Sequence, residues 1–259
     1  MNLKIIKTDL LNDFKSRVDF NPLKMLQSIK STNLSIDYFS FYKSVSAVYS
    51  SKIEGENIDF DSYYKHKFLN VEFKPDYTKK PDDLYRAYEF IEANQLNFTN
   101  LKKAHSIITS NLLTKKQQGS IRTDFMYVIN NEDMIEYVAA SPVKVTSEMD
   151  KLMNDIEILL KRNLSPVETF YFASFIHLVF VKIHPFQDGN GRTARLLEKW
   201  FLIEKLGRDA IAIPLEKNYF NKLETYYFNL KKCGLEYDLL DYHKALDFLL
   251  MTVMSLGND

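Results

Sequence analysis

One short stretch holds the residues best suited to chemistry, His184-Pro185-Phe186-Gln187-Asp188-Gly189-Asn190-Gly191-Arg192-Thr193-Ala194-Arg195. The imidazole of His184 can take up a proton near neutral pH. Asp188 offers a hard oxygen ligand suited to a Mg²⁺ ion that phosphates also hold. Arg192 and Arg195 are three residues apart, so they share one helix face and can both donate to phosphate oxygens. The stretch therefore combines a base, a metal ligand and two phosphate contacts.

The two glycines of this stretch favour an anion site at the start of a helix. A helix is predicted to begin at about Asn190, where the first backbone amides have no partner within the helix and the helix dipole is positive. Gly189 and Gly191 carry no side chain that would keep an anion from the backbone. Each feature alone has an ordinary explanation, such as a turn, a structural histidine or surface ion pairs. Their concentration in one loop is hard to explain by packing.

The preceding helix must position this loop. It has a strong start signal, with Ser165 as the cap, Pro166 at the first helical position and Glu168 at the third. The segment is apolar on most sides as far as about Lys182, which is typical of a helix in the centre of a core. The helix after the loop is predicted to end at Gly207.

The rest of the chain is mostly helical by its apolar periodicity. Further helices are predicted over 36–53, 82–96, 100–113, 147–162 (with Ser147 as its cap), 215–232 and 239–255. The exception is 125–138, where β-forming residues flank Asn130-Asn131-Glu132-Asp133 and predict a hairpin. The predicted fold class is all-α with a small β-hairpin, divided into an N-terminal helical extension over 1–80 and a core over 81–259.

Composition narrows the class of protein. The 34 basic and 34 acidic residues cancel, so no basic face for nucleic acid is expected. A single cysteine, Cys233, excludes an internal disulfide and a zinc site made of cysteines. Neither a signal peptide nor a run of about 20 apolar residues is evident, so we expect a cytoplasmic protein that is not bound to a membrane.

The loop resembles the signature of the Fic family, H-x-F-x-[DE]-G-N-[GK]-R-x-x-R, at every fixed position. It differs from the related Doc-type phosphotransferases, which have Ala and Lys in place of Gly189 and Gly191. The resemblance extends from about Pro81 to the C-terminus through Gly119, Arg122, Ser141-Pro142 and His177. It is weaker at the hairpin, where Val138-Ala139-Ala140 replaces a proline-richer form.

The resemblance implies an enzyme that transfers AMP from ATP to a Ser, Thr or Tyr hydroxyl of a target protein, with the chain itself as one candidate target. His184 would be the base, with Phe186 packed below the loop to hold it, and Asp188 would hold Mg²⁺, or Mn²⁺ in its place. The remaining implied roles are an anion hole at Gly189, Asn190 and Gly191, contacts from Arg192 and Arg195 to the outer phosphates, and a flap at Phe125, Met126, Tyr127 and Val128 that aligns the target.

A second motif, Ser50-Ser51-Lys52-Ile53-Glu54-Gly55, resembles the inhibitory helix of Fic proteins, [ST]-x-x-x-E-[GN]. Glu54 falls in the last turn of a helix over about 36–55, where the helix dipole disfavours a negative charge. The resemblance implies that Glu54 pairs with Arg195 and keeps the γ-phosphate from docking productively. The simpler alternative is a solvated glutamate beside Gly55, a residue that ends the helix.

The adenine site and the reaction leave alternatives open. Asn218, Tyr219 and Phe220 are candidates for contact with the base, although core packing explains each of them as well. The same fold could use another nucleotide donor or remove AMP from protein. A non-catalytic nucleotide sensor or interaction module is the alternative of a different class.

Overall fold

The computed structural model describes residues 2–30, 37–129 and 134–257. These residues form twelve α-helices, three short 3₁₀ helices and one pair of strands, which confirms the predicted fold class. The α-helices are α1 (Leu11–Arg17), α2 (Pro22–Lys30), α3 (Tyr38–Ile53), α4 (Phe60–Leu69), α5 (Pro75–Ala93), α6 (Phe98–Ile108), α7 (Pro142–Lys161), α8 (Pro166–Ile183), α9 (Asn190–Leu206), α10 (Leu215–Asn221), α11 (Leu223–Lys232) and α12 (Leu246–Met254). The 3₁₀ helices are Arg208–Ala212, Tyr237–Leu239 and Tyr242–Lys244, and the strands are β1 (Tyr127–Ile129) and β2 (Ile135–Val138).

Helix α8 lies at the centre of the molecule, with α9, α12 and α7 packed around it. Among the described residues it is the one helix long and apolar enough to cross a membrane, and most of it is buried by its neighbours. The predicted capping box is confirmed at its start: the Glu168 amide donates to Ser165 Oγ at 3.3 Å, and the Ser165 amide donates to Glu168 Oε2 at 2.8 Å. The capping box fixes the start of α8, and the buried helix then positions His184 at its other end.

The replacement Ser165→Ala is expected to lower the free energy of unfolding by about 1 kcal/mol, since an amide at the start of α8 loses its partner. Ser141→Ala is the matched control, because Ser141 precedes α7 without making a side-chain capping bond. Chemical denaturation of the three proteins checks this. Equal losses for both variants would contradict a specific role of the capping box.

Helix α3 carries a polar stripe toward α9, although it packs on α5 and α10 through apolar residues. Ser46, Ser50 and Glu54 are four residues apart and so share one face. Ser46 Oγ donates to Glu216 at 3.0 Å and lies 3.3 Å from Lys199 Nζ, and Lys199 and Glu216 form a buried ion pair at 3.1 Å. This network fixes the middle of α3 against the core, and so fixes the position along α9 that Glu54 contacts.

The strands β1 and β2 pair antiparallel, with Tyr127 opposite Val138 and Val128 opposite Tyr137. The register is irregular between Val128 and Ile129. The hairpin is therefore confirmed in its strands, and its predicted turn at 130–133 lies outside the described residues. The Val138 amide also donates to the carbonyl of Leu235 at 2.8 Å, which attaches β2 to the segment after α11.

Several predicted helix limits were wrong. Helix α7 begins at Pro142 rather than near Ser147, because proline is favoured at a first helical position. The predicted helix over 215–232 is interrupted at Lys222, whose backbone leaves the helical region. The predicted start at 239 corresponds to 3₁₀ turns, and α12 begins only at Leu246. Helix α5 continues through Pro81 and so spans the predicted boundary between the N-terminal extension and the core, a division that stays a prediction.

Candidate active site

The loop between α8 and α9 begins with a strained residue. His184 ends α8 in the left-handed conformation, with φ of 55°. A non-glycine residue there costs about 1–2 kcal/mol. Such strain persists only where the surroundings hold it, and it gathers at functional sites. The conformation turns the chain sharply, so that His184 and the start of α9 face the same space.

Arg122 holds this turn from the hairpin side. Its guanidinium donates to the carbonyls of His184 at 2.7 Å, Asp124 at 2.6 Å and Ala140 at 2.5 Å. Its backbone amide donates to the carbonyl of Pro185 at 2.9 Å. One buried side chain thus joins the loop between α8 and α9 to both ends of the hairpin.

The side chain of Asn190 closes the loop on itself. Its amide nitrogen donates to the carbonyl of Phe186 at 2.8 Å, and its oxygen accepts from the Phe186 amide at 2.9 Å. The side chain is therefore not available to an anion, and only the backbone of Asn190 can contribute to the predicted anion hole.

The start of α9 has the features of an anion site. The first helical hydrogen bond of α9 is donated by the Thr193 amide to the Gly189 carbonyl at 2.9 Å. The amides of residues 190–192 therefore precede the first amide that donates within the helix. The buried Nε of Arg192 has no hydrogen-bond partner among the described residues. A buried donor of this kind is costly unless a ligand satisfies it. Phosphate oxygens would satisfy Arg192 and the free amides together.

The hydrogen bond of His184 assigns its tautomer. Nδ1 lies 3.2 Å from the carbonyl oxygen of Val181, which can only accept, so Nδ1 carries the proton in the neutral ring. Nε2 then has a free lone pair. Burial lowers the pKa of His184 to about 4, and the bond to Val181 and the nearby Glu54 only partly oppose this. The ring is therefore neutral at physiological pH and able to accept a proton.

This lowered pKa predicts the pH dependence of activity. A base acts in its neutral form, so activity that depends on His184 is retained above its folded pKa and falls only as the pH approaches about 4. The Glu54 charge acts to raise the pKa of His184. A Glu54→Gly variant loses this influence, so the pH at which its kcat/KM falls should be no higher than about 4. An acid limb near 6.5 in a protein still folded by circular dichroism would contradict the assignment.

The predicted contact between Glu54 and Arg195 is present. Glu54 Oε1 lies 2.6 Å from Arg195 Nη2, and Arg195 also donates to Ser50 Oγ at 3.0 Å and to the Ser50 carbonyl at 3.1 Å. The Arg195 side chain is only 1% exposed. Burial acts to raise the pKa of Glu54, but Arg195 and Arg192 outweigh it and hold that pKa below its ordinary value. Glu54 is therefore an anion in this site.

Glu54 also occupies space at the anion site. A Cβ atom added to Gly191 would lie 2.7 Å from Glu54 Oε1. The carboxylate thus sits against the backbone at the start of α9, and a residue larger than glycine at 191 would collide with it. The predicted anion site is therefore partly filled by the negatively charged side chain of Glu54, the residue that follows α3.

A cavity of about 200 Å³ opens beside this contact. Its lining includes His184, Glu54, Gly191 and Arg195, together with Val128, Glu136 and Tyr137 of the hairpin and Val181, Lys182, Tyr226, Tyr227, Leu230 and Lys231. The hydroxyl of Tyr227 donates to the Ile53 carbonyl at 3.3 Å, at the end of α3. The cavity therefore joins the predicted base, the predicted inhibitory residue and the hairpin.

The structure places two of the four predicted flap residues in strand β1 and the other two before it. Tyr127 and Val128 lie in β1, and Val128 lines the cavity. Phe125 and Met126 precede the strand, and the Met126 carbonyl accepts from the Ala139 amide at 3.0 Å. Phe125 is well exposed.

Asp188 is the residue that could hold a divalent cation. Its side chain is 53% exposed and lies 3.5 Å from Arg192 Nη2. Within the described ranges no group of three or more potential ligands surrounds it. One carboxylate is the protein contribution expected for Mg²⁺ when phosphates and water complete its shell. The donor set therefore fits a metal that enters with a nucleotide.

The adenine candidates lie in different surroundings. Tyr219 is fully buried, and its hydroxyl bonds to Glu198 and Thr252, so the structure does not bring its ring into the site. Asn218 donates to the Met251 carbonyl at 2.9 Å. Phe220 packs against Tyr49 at 5.7 Å, with Lys52 over its ring. Asn218 and Phe220 are both partly exposed, whereas Tyr219 is buried.

Comparison with known proteins agrees with this geometry. Residues 95–202 match the model of the Fic/DOC family. The chain carries a Fic domain. It is 26% identical over 125 residues to the protein adenylyltransferase fic-1 of Caenorhabditis elegans, and the match covers 48% of this chain and 22% of that protein. It is 28% identical over 118 residues to the protein adenylyltransferase Fic of Drosophila erecta, covering 39% and 22% of the two chains. These matches span less than a quarter of the relatives' lengths.

Solved structures share the fold over nearly the whole chain. A Fic family protein from Desulfovibrio desulfuricans superimposes with a TM-score of 0.75 at 18% identity, covering 99% of this chain and 74% of that one. The Fic-1 structure from Caenorhabditis elegans gives a TM-score of 0.66 at 16% identity, covering 96% and 71%. At these identities the likeness concerns the fold alone. Glu54, Tyr226 and Tyr227 lie outside the matched residues 95–202 and join the Fic domain only in three dimensions.

Proposed function

We propose that the protein is an adenylyltransferase that moves AMP from ATP to a hydroxyl group of a target protein. The observation that carries this proposal is one loop in which His184, Gly191 at the start of α9 and Arg195 line a single cavity, while the same loop carries Arg192 and the exposed carboxylate of Asp188. A binding module would need the anion site but would have no use for a base. The proposal agrees with the names of the curated relatives.

In the proposed reaction, Nε2 of His184 takes the proton of the target hydroxyl. The hydroxyl oxygen then forms a bond to the α-phosphorus, the bond from that phosphorus to the bridging oxygen breaks, and pyrophosphate leaves. The amides at the start of α9 would receive the α-phosphate oxygens, and Arg192 and Arg195 the outer phosphates. Mg²⁺ at Asp188 would supply charge neutralisation of the phosphates when bound. Positioning and charge stabilisation thus carry most of the rate.

We further propose that Glu54 represses this reaction. Its carboxylate neutralises Arg195 and lies against Gly191, so it competes with phosphate for both. The network of Ser46, Lys199 and Glu216 holds α3 in place. The contact of Glu54 with Arg195 is therefore supported by the packing of the core.

Transfer of radiolabel from ATP labelled at the α-phosphorus tests the activity, with cell lysate as the source of targets. The wild type, Glu54→Gly and the double variant Glu54→Gly/His184→Ala are compared in Mg²⁺. Label on protein with Glu54→Gly alone is expected. Parallel reactions with GTP and UTP distinguish another donor, and release of AMP from already labelled protein distinguishes removal. Absence of label with every donor would overturn the assignment as a transferase.

A further inference from the structure

His105 is a buried histidine of α6 that the proposed reaction does not use. It is fully buried, and its ring stacks on Phe186 with centroids 3.7 Å apart and planes 17° apart. Both ring nitrogens bond to backbone. Nε2 lies 2.8 Å from the carbonyl oxygen of Asp188, and Nδ1 lies 2.9 Å from the amide nitrogen of Gly119. The ring therefore joins the catalytic loop to the turn that precedes the hairpin.

The two partners fix the proton on the ring. The Gly119 amide can only donate, so Nδ1 must accept. The Asp188 carbonyl can only accept, so Nε2 must donate. A single neutral tautomer satisfies both, and a side chain with one donor alone or one acceptor alone would satisfy only one. Packing against Phe186 alone would not require both ring nitrogens to bond to the backbone in opposite roles.

Asp188 has few other constraints. Its carboxylate is half exposed, and the partners recorded for it in the described structure are its neighbour's amide, at Gly189, and the more distant Arg192. Its orientation therefore depends on the backbone of the loop. Helix α6 supports that backbone closely, because a Cβ atom on Gly189 would lie 2.7 Å from Thr109 Cγ2 and 3.5 Å from His105 Nε2.

We infer that His105 is a positioning residue whose Nε2–H holds the Asp188 carbonyl, so that the Asp188 carboxylate points at the metal bound with the nucleotide. The inference rests on the proposed nucleotide and metal site but not on the transfer of AMP. Residues that orient a metal ligand in this indirect way typically change metal affinity or activity by about 10- to 100-fold when replaced. The effect of losing His105 should therefore appear in the dependence on Mg²⁺.

The test measures binding of a fluorescent ATP analogue against Mg²⁺ concentration and in EDTA, using the full chain in a Glu54→Gly background. His105→Phe keeps an aromatic ring against Phe186 but loses both hydrogen bonds. The longer side chain of His105→Gln places its amide nitrogen, a donor, near the position of Nε2 and so toward Asp188. The shorter side chain of His105→Asn places its amide oxygen, an acceptor, near the position of Nδ1 and so toward Gly119. We expect His105→Phe to raise the Mg²⁺ concentration for half-maximal binding about tenfold. We expect His105→Gln to lie nearer the parent than His105→Asn, with binding in EDTA changed less than about twofold in all three.

Equal losses with Mg²⁺ and with EDTA would overturn the inference, because they would indicate general damage to the loop. Equal behaviour of the Gln and Asn variants, or a parent whose nucleotide binding ignores Mg²⁺, would also overturn it. Thermal unfolding of each variant shows whether it folds, and if His105→Phe does not, the comparison of Gln with Asn decides. A parent that binds Mg²⁺ and nucleotide but transfers no label would contradict the proposed function and leave this test intact.

Discussion

Replacement of Glu54 by glycine is expected to raise the rate of AMP transfer about 5- to 150-fold, the usual range for a coupling between two ligands of one site. The Glu54 carboxylate lies 2.6 Å from Arg195 Nη2 and fills space beside Gly191, so its removal frees both for phosphate. The variant should at the same time be less stable. Arg195 is almost fully buried and would keep its bonds to Ser50 but lose its carboxylate partner, which predicts a free energy of unfolding lower by about 1–3 kcal/mol. Label transfer and chemical denaturation measure the two effects.

Glu54→Gln tests charge separately from size, since the amide can still accept from Arg195 but no longer neutralises it. Glu56→Gln is the matched control. Glu56 stands two residues away and pairs with Lys80 rather than with Arg195. We expect activity in the order Glu54→Gly above Glu54→Gln above wild type, with Glu56→Gln equal to wild type. A folded Glu54→Gly variant no more active than wild type would contradict the repression.

Replacement of His184 in the Glu54→Gly background is expected to lower the transfer rate by about 10²- to 10⁴-fold, the range attributed to a positioned base. Nucleotide affinity should change little, because the amides at the start of α9 and both arginines remain. His184→Asn is preferable to alanine, since asparagine tolerates the left-handed conformation that this residue adopts. His243→Ala, at an exposed histidine, serves as the control. Parallel loss of nucleotide binding and transfer would contradict the role of His184 as a base.

The sequence predicts the local structure of the loop between α8 and α9 well, because that structure depends on neighbouring residues. The capping box at Ser165, the turn at His184 and the helix start at Asn190 each depend on residues within a few positions. The contact of Glu54 with Arg195 spans 141 residues, and it was predictable only through resemblance to a family motif. Residue periodicity alone would have left Glu54 as a solvated side chain at a helix end.

Other parts of the site carry no such signal. His105 stands on an amphipathic helix where a buried histidine is ordinarily a core residue, and its partners Asp188 and Gly119 are set by tertiary packing. Tyr226 and Tyr227 line the cavity, although the sequence favoured residues of the preceding helix. The break at Lys222 explains part of this difference, because a continuous helix over 215–232 would give these residues another direction. Only the packed structure shows which aromatic side chains face the cavity.

We propose that this chain transfers AMP rather than another part of the nucleotide. The most direct measurement incubates Glu54→Gly and Glu54→Gly/His184→Asn with lysate and Mg²⁺, using ATP labelled either at the α-phosphorus or at the γ-phosphorus. We expect label on protein from the α-position only, and only with His184 present. Protein labelled from the γ-position would instead show phosphate transfer, and α-label that persists without His184 would show that His184 is not the base. Either result would contradict transfer of AMP with His184 as its base.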